Sequence, residues 1–512
     1  MLKTYLTSLL LILFAASATR AADAAPALAD SAPAITVTLG TVAKMKLAPA
    51  APLTAAQQQR IKDLISAFTQ LDQPDFGLSP TLSGTSFSPL GQSSVSTMVL
   101  ADHHIEPSKA LTELVSVGPD ALPFLLDALD DQRVTRIVIT HDSGFGSMWF
   151  GGERDRNPLN PAEVSQNPPP HGDPFSQPPV RSYTVKVGDV CFVAVGQIVG
   201  RAYEAVRYQP TANIVINSTT QDPQLCAEVR AAWTSNNPRQ KVLDSLLIDY
   251  ATQGVFNGTS LDGWYDGSDR QCTAARLLLF YFSQQTAPLI APRLAKLDVR
   301  KDSPDINETM RRWVAQGIRP DAFISAVAWS SEPAIRNAIS GIFQRTDNVD
   351  CLLAALPAVQ DKGLERQRLA ALIDALPPDD KGPYGDANRL TALIPLDSDA
   401  ARRAAERYLK HDTLARRLTL CMTLKETRAP WAPQILGPML TDTRDTQWGD
   451  YAINPSENEP RLPIRICDVA AQTLAANRSD LHFKMEGSHE NLDRQIGVLK
   501  SALAGSPTTR PN

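Results

Sequence analysis

The chain has few clusters of positively charged residues and few aromatic side chains. Its 55 Asp and Glu outnumber its 50 Lys and Arg, and no basic run stands out along the 512 residues. Because proteins bind phosphate backbones through clustered cations, this charge balance argues against a nucleic-acid partner. After the first twenty or so residues, no stretch is apolar enough to span a bilayer. The sequence therefore predicts no membrane span.

Residues that usually carry catalysis or metal binding are few and scattered. The seven histidines show none of the fixed spacings of a metal motif. The segment Gly144–Ser147 lacks the full pattern of a nucleophile elbow or of a phosphate loop. Three aspartates between residues 262 and 269 are spaced as in a calcium loop, but the terminal Glu is absent. We therefore predict no metal, no cofactor and no catalytic residue.

The six cysteines are too widely spaced to define a disulfide framework. Four of them lie in apolar helical contexts, so we expect mainly small buried side chains. A single bridge between Cys191 and Cys226 is the pairing that the sequence leaves open, since adjacent elements would bring the two together. The cysteines are Cys191, Cys226, Cys272, Cys351, Cys421 and Cys467.

Residues 1–21 have the layout of a cleavable export signal. Lys3 precedes an apolar core, Leu9–Ala16, and small residues follow it. The core is shorter than the roughly 20 residues of a membrane span, which disfavours a retained anchor. We expect an exported protein, periplasmic or extracellular. Loss of Lys3 and Arg20 would change its formal charge from −5 to −7.

The remaining chain divides by composition and periodicity. Residues 22–53 are rich in Ala, Pro and Thr and are predicted to be flexible. Apolar residues at helical spacing begin behind Thr54, a plausible helix N-cap, and continue with interruptions to residue 504. Residues 505–512 are predicted to form a disordered tail.

The segment Val187–Gly200 gives the clearest structural signal. Asp189 can accept bonds from the free N–H groups at a helix start, and Gly200 suits a helix end. Its β-branched residues leave a strand open, because a short apolar run has no decisive period. The segment Ile466–Ala475 repeats the Asp-Val start in an Ala-rich context, which favours a helix in both places.

The segments ahead of these two helices also match. Aligning Pro123 with Pro433 superposes apolar residues at three- and four-residue steps, as in a helix that begins with proline. The stretch Leu114–Asp131 contains an apolar helix end, a glycine turn and an Ala-Leu-Pro-x-Leu-Leu-x-x-Leu-x-Asp run. It resembles a HEAT repeat, as residues 431–476 do. The resemblance implies an all-α fold, an α-α superhelix of HEAT-like hairpins that serves as a binding scaffold.

Two long loop insertions, 132–182 and 443–463, depart from the HEAT pattern. The first begins with Val134–Thr140, a β-branched run that predicts a strand. Both carry aromatic residues among Asp and Gly, and so does the loop 257–269. Ring faces cover C–H surfaces while carboxylates bind hydroxyls, which suits carbohydrate or peptide ligands. Alternatively, each insertion buries its own rings. The candidate ligand-binding residues are Phe145, Trp149, Phe150, Trp264, Tyr265, Trp448 and Tyr451.

These features favour an exported, non-enzymatic scaffold that binds a protein or a cell-envelope polymer through its insertions. An alternative is a glycan lyase or hydrolase on a helical array, with His141, Asp142, Glu153 and Asp155 as acid–base candidates. A structural spacer without a specific ligand is the third interpretation.

Overall fold

Helices dominate the chain, with seventeen α-helices against nine short strands in the residues described. The all-α class predicted from the sequence therefore holds at this level. The computed structural model describes residues 38–72, 84, 86–90, 108–141, 146–154, 160, 180–208, 213–253, 267–301, 306–358, 362–374, 389–410, 413–452 and 461–505. The chain forms two units that meet in sequence near residue 358.

The first unit, up to Ala358, holds eleven of these helices and seven of these strands. The helices are α1 (Ala55–Ala67), α2 (Lys109–Val117), α3 (Leu122–Asp127), α4 (Val187–Val199), α5 (Pro223–Trp233), α6 (Pro238–Ala251), α7 (Gly267–Lys296), α8 (Ile306–Gln316), α9 (Pro320–Val327), α10 (Pro333–Arg345) and α11 (Val349–Ala355). The strands are β1 (Thr38–Leu39), β2 (Val134–Thr140), β3 (Met148–Gly151), β4 (Ser182–Lys186), β5 (Val206–Tyr208), β6 (Ile214–Asn217) and β7 (Thr252–Gln253).

Local signals explain where these helices begin and end. Thr54 caps α1 in a capping box with Gln57, as its position in the sequence predicted. All thirteen residues of α4 are buried, and Gly200 ends it in the left-handed conformation with φ 74°. Phe282 has non-helical angles inside α7, so a kink divides that helix ahead of its prolines.

The first insertion is built partly of strands, which corrects the prediction of a long loop. β2 pairs antiparallel with β4, and β3 pairs parallel with β6, which pairs antiparallel with β5. Exposed and buried residues alternate along β2, as the β-branched run predicted. The partner of β2 lies some forty residues away in sequence, and the register of that pairing could not be predicted from local patterns.

The second unit repeats this design. Its described helices are α12 (Lys362–Asp374), α13 (Ser398–Lys410), α14 (Leu414–Thr427), α15 (Ala432–Leu436), α16 (Ile466–Asn477) and α17 (His489–Gly505), and its strands are β8 (Asp445–Ala452) and β9 (Arg461–Arg465). The antiparallel pair β8–β9 stands between α15 and α16, as β2–β4 stands between α3 and α4. The second predicted loop insertion, 443–463, is therefore also largely a strand pair.

In each unit, matching hydrogen bonds link the residues just before the strand pair, or at its start, to the helix that follows the pair. The first amide of α4, Val187 N, donates to Arg133 O at 2.8 Å, and that of α16, Ile466 N, donates to Arg444 O at 3.1 Å. The next amides donate to Asp131 O and to Asp442 O. The helix pair that the sequence repeats is therefore a helix, a strand pair and a second helix.

The carboxylate of the Asp-Val start lies in the first turn of each helix and accepts a free amide there, as predicted for Asp189. Lys186 is the N-cap of α4, and its amide donates to Asp189 Oδ2 at 2.9 Å. Arg465 is the N-cap of α16, and its amide donates to Asp468 Oδ2 at 3.0 Å. Either position lets an acid satisfy a free amide at the helix start.

Within the predicted flexible segment, residues 38–47 contact helix α6 and strand β7. Thr38 and Leu39 form β1, which lies antiparallel to β7 directly after α6. These contacts hold residues 38–47 against elements far along the chain, and the flexibility expected for residues 22–53 stays a prediction.

We expect alanine substitutions at two glycines of the first unit to change the free energy of unfolding in opposite directions. Gly200→Ala should lower the free energy of unfolding by about 1–2 kcal/mol, since φ is positive there and the added methyl approaches Leu277 at 3.1 Å. Gly341→Ala, within α10 and in open space, should raise it by about 0.5–1 kcal/mol. Urea unfolding of both variants tests this, and equal effects would contradict the assigned backbone of Gly200.

Candidate functional site

Helix α6 presents a polar stripe opposite its apolar face. Val242, Leu243, Leu246 and Leu247 are buried in the core. Side chains at three- and four-residue steps line the other side and include three amide or hydroxyl groups, one cation and one carboxylate. They are Asn237, Gln240, Lys241, Asp244, Ser245 and Ile248. Helical spacing places them on one strip of surface.

Two clefts meet along this stripe, and together we call them the α6 groove. The first cleft, of about 300 Å³, is bounded by α6 on one side and by Asn160 and Ser235 on the other. The other, of about 480 Å³, lies between α6 and the extended residues Val42–Leu47. Asn237, Gln240, Asp244 and Ile248 line both clefts. Amides and hydroxyls of this kind orient polar ligands.

Residues 38–47, the N-terminal strap, run along the groove antiparallel to α6. Gly40 N donates to Ala251 O at 2.9 Å near the end of the helix. Near its start, the Gln240 carboxamide binds the strap backbone twice. Its Nε2 donates to Met45 O at 2.9 Å, and its Oε1 accepts from Leu47 N at 2.9 Å. A carboxamide has the same donor–acceptor pair as a peptide group, so Gln240 binds main chain rather than side chain.

A buried ion pair forms the floor of the groove. Arg201 follows the end of α4, and its guanidinium is bonded to Asp249 of α6 with both side chains almost fully buried. Arg201 also donates to Ser245 Oγ at 3.0 Å and to Gly200 O at 3.1 Å. Since each charge compensates the other, removal of either would leave an uncompensated buried charge.

Asn160 connects the first insertion to this floor. Its fully buried amide donates to Ser245 Oγ at 2.9 Å, to Ser245 O at 3.2 Å and to Asp249 Oδ1 at 3.3 Å. The insertion therefore contributes to the groove through a polar amide, and Ser245 joins the groove wall to the ion pair.

The groove carries charges of both signs. Asp244 is exposed and accepts from Gln240 Nε2 at 2.8 Å, so its carboxylate helps to orient the Gln240 amide. Lys241 is half-buried and donates to Thr234 O at 3.2 Å. Burial lowers the pKa of Lys241, because the charged form loses hydration. Such a mixed surface favours a ligand that has polar groups, as a peptide backbone does, over a wholly apolar one.

Of the predicted aromatic residues, Trp149 and Phe150 have described side chains, and neither lines the two clefts. Trp149 and Phe150 are half-buried on β3, and the Phe150 ring meets Tyr183 edge-on with centroids 5.3 Å apart. This contact agrees, for Phe150, with the alternative interpretation that the insertion buries its own aromatic rings. Trp448 and Tyr451 belong to β8, but their side chains lie outside the described residues, as do Phe145, Trp264 and Tyr265.

Two acid–base candidates of the enzyme alternative, His141 and Glu153, lie among the described residues. The Glu153 carboxylate accepts from Nε and from Nη2 of Arg207, with 2.6 Å from Nε to Oε2. His141 follows β2, where its amide donates to Arg181 O at 3.0 Å. Neither residue lines either cleft. Asp142 and Asp155 lie outside the described residues.

All six cysteines are buried free thiols, so the bridge between Cys191 and Cys226 is not formed in this structure. Burial raises the pKa of Cys421 and of Cys467 to about 12. These thiols are protonated at neutral pH and lack the thiolate that makes a cysteine reactive.

The described residues contain no group of three His, Cys, Asp or Glu side chains placed to hold a metal ion. Among the helices of that same part of the chain, none is both long and apolar enough to cross a membrane.

Sequence reasoning missed the groove. Ser245 and Asp249 stand four residues apart among the apolar residues of the second half of α6, which is a detectable sign of a buried polar cluster. Nothing comparable marks Asn160, which lies in a Pro-rich loop, or Met45, whose part in the site is made by its backbone carbonyl.

Comparison with protein-family models, with curated proteins and with solved structures finds no match for this chain. The groove geometry therefore carries the functional argument.

We expect Asp249→Ala to lower the free energy of unfolding by about 3–5 kcal/mol, because Arg201 would remain charged and buried. Asp130→Ala is the matched control, since its pair with Arg230 is largely exposed, and it should cost within about 1 kcal/mol. Urea unfolding measures both. A similar small loss for the two variants would show that the floor of the groove is hydrated.

Proposed function

We propose that this protein is an exported, non-enzymatic binding scaffold, built as a superhelix of HEAT-like hairpins, that holds a segment of a partner protein in the α6 groove. The observation that carries the proposal is the pair of bonds from Gln240 to an extended backbone at Met45 and Leu47. A groove that already holds one extended chain by its peptide groups has the chemistry to hold another.

The surroundings of the groove support the same proposal. The Arg201–Asp249 pair and Asn160 fix the α6 face from beneath, so the polar stripe is in place before a ligand arrives. The groove also offers Asp244 and Lys241 for the side chains of a partner. Of the partners predicted from the sequence, a polypeptide fits these groups better than an envelope polymer does, because Gln240 matches a peptide group.

The enzyme alternative has less support. Glu153 is held in a two-point ion pair with Arg207, which engages both oxygens of its carboxylate. A general acid–base group has to reach the reacting atoms of a substrate, and this one faces a guanidinium.

Selection of random displayed peptides on the mature protein tests the proposal. Enriched peptides should bind in fluorescence anisotropy, and Gln240→Ala should weaken them by about tenfold or more, since two main-chain bonds of about 1 kcal/mol each are lost. Gln224→Ala on α5, which removes an exposed bond to Glu228, is the control and should change nothing. Peptides that bind both variants equally, or no enrichment at all, would refute the groove as the site.

A further inference from the structure

The N-terminal strap shows which ligand the groove accepts. Residues 42–47 are extended, and exposure alternates along them. Ala43, Met45 and Leu47 are half-buried toward the groove, whereas Lys44 and Lys46 are exposed. Alternate residues of an extended chain point to opposite sides, so the three less exposed side chains share one side of the strap.

Main-chain contacts fix the register of this segment. The Gln240 carboxamide bonds to residues two apart, Met45 through its carbonyl and Leu47 through its amide. In an extended chain, the side chains of residues i and i+2 lie on the same side, so those of Met45 and Leu47, both half-buried, share one side of the strap. Ile248 on α6 and the stems of Gln240 and Asp244 line the cleft that they enter.

We propose that the strap is an internal copy of the ligand: the α6 groove binds extended polypeptide segments with apolar residues at alternate positions, and residues 42–47 compete with such segments for Gln240. This inference rests on the proposed function and specifies its ligand. An incoming segment would exchange the two Gln240 bonds for equivalent ones, so the exchange is close to balanced in hydrogen bonds. The strap would lower the apparent affinity for a partner in proportion to the fraction of time it is seated.

A labelled peptide that copies residues 40–50, GTVAKMKLAPA, is the probe, and the mature full chain is the receptor. Met45→Asp in the protein puts a carboxylate near Asp244 and should loosen the strap. The peptide should therefore bind this variant about tenfold more tightly than the unchanged protein, whose groove is occupied. Val498→Asp on α17 introduces the same charge at an exposed apolar residue that lines neither cleft, and it should leave the affinity unchanged.

Two further comparisons identify the contact. Adding Gln240→Ala to Met45→Asp should abolish the gain in affinity. A peptide in which proline replaces the residue equivalent to Leu47 lacks the amide donor and should bind about tenfold more weakly, and this test needs no change to the protein. Circular dichroism confirms that each variant is folded.

The outcomes separate this inference from the proposed function. Should the copy peptide bind neither the unchanged protein nor Met45→Asp while selected peptides bind through Gln240, the groove is a peptide site but the strap does not mimic its ligand. Equal binding of the copy peptide and its proline form would also overturn the inference, because main-chain recognition would then be absent. Failure of all peptides would overturn both proposals.

Discussion

The buried pair of Arg201 and Asp249 is the interaction on which the groove depends. It joins the end of α4 to the last turn of α6, and Ser245 and Asn160 complete its hydrogen bonds. Burial of two charges is costly, and their attraction offsets that cost only where the remaining polar atoms are also bonded. The same bonds that compensate the charges therefore determine how α6 turns its polar stripe outward and how the first insertion reaches it.

In the two copies of the helix–strand–strand–helix motif, the buried carboxylate of the second helix is bound by different partners. In each, a carboxylate in the first turn accepts the amide of the residue that ends the second strand. Asp468 is further bound by the Arg465 guanidinium, with 2.9 Å from Nη2 to Oδ1. Asp189 has neutral partners, Tyr183 at 2.6 Å and Ser218 at 2.7 Å, and burial raises its pKa. A raised carboxyl pKa means that the folded protein binds the proton more tightly than the unfolded chain does. The contribution of Asp189 to the free energy of unfolding therefore falls as pH rises from its pKa in the unfolded chain to its higher pKa in the folded protein.

Local patterns could be predicted from the sequence, and long-range pairing could not. Thr54, Pro123 and Gly200 act within a few residues, so their effects on α1, α3 and α4 follow from spacing alone. The aromatic residues attracted attention by type, yet Phe150 packs within its own insertion. Gln240 and Met45 are 195 residues apart, and each taken alone is an ordinary half-buried residue. Their pairing depends on a backbone carbonyl, and side-chain chemistry carries no sign of it.

Helix α6 and the N-terminal strap differ in how firmly they are held, and that difference bears on whether a ligand segment can replace the strap. Helix α6 is fixed by a buried apolar face and by the ion pair beneath it. The strap is anchored by the short β1–β7 pairing and by the Gln240 bonds, and its side chains are only half-buried where they face the groove. Segments with few buried apolar contacts open at low free energy, whereas core helices open only near global unfolding. The strap can therefore leave while the surface beneath it keeps its shape, which allows one extended segment to replace another without unfolding of the site.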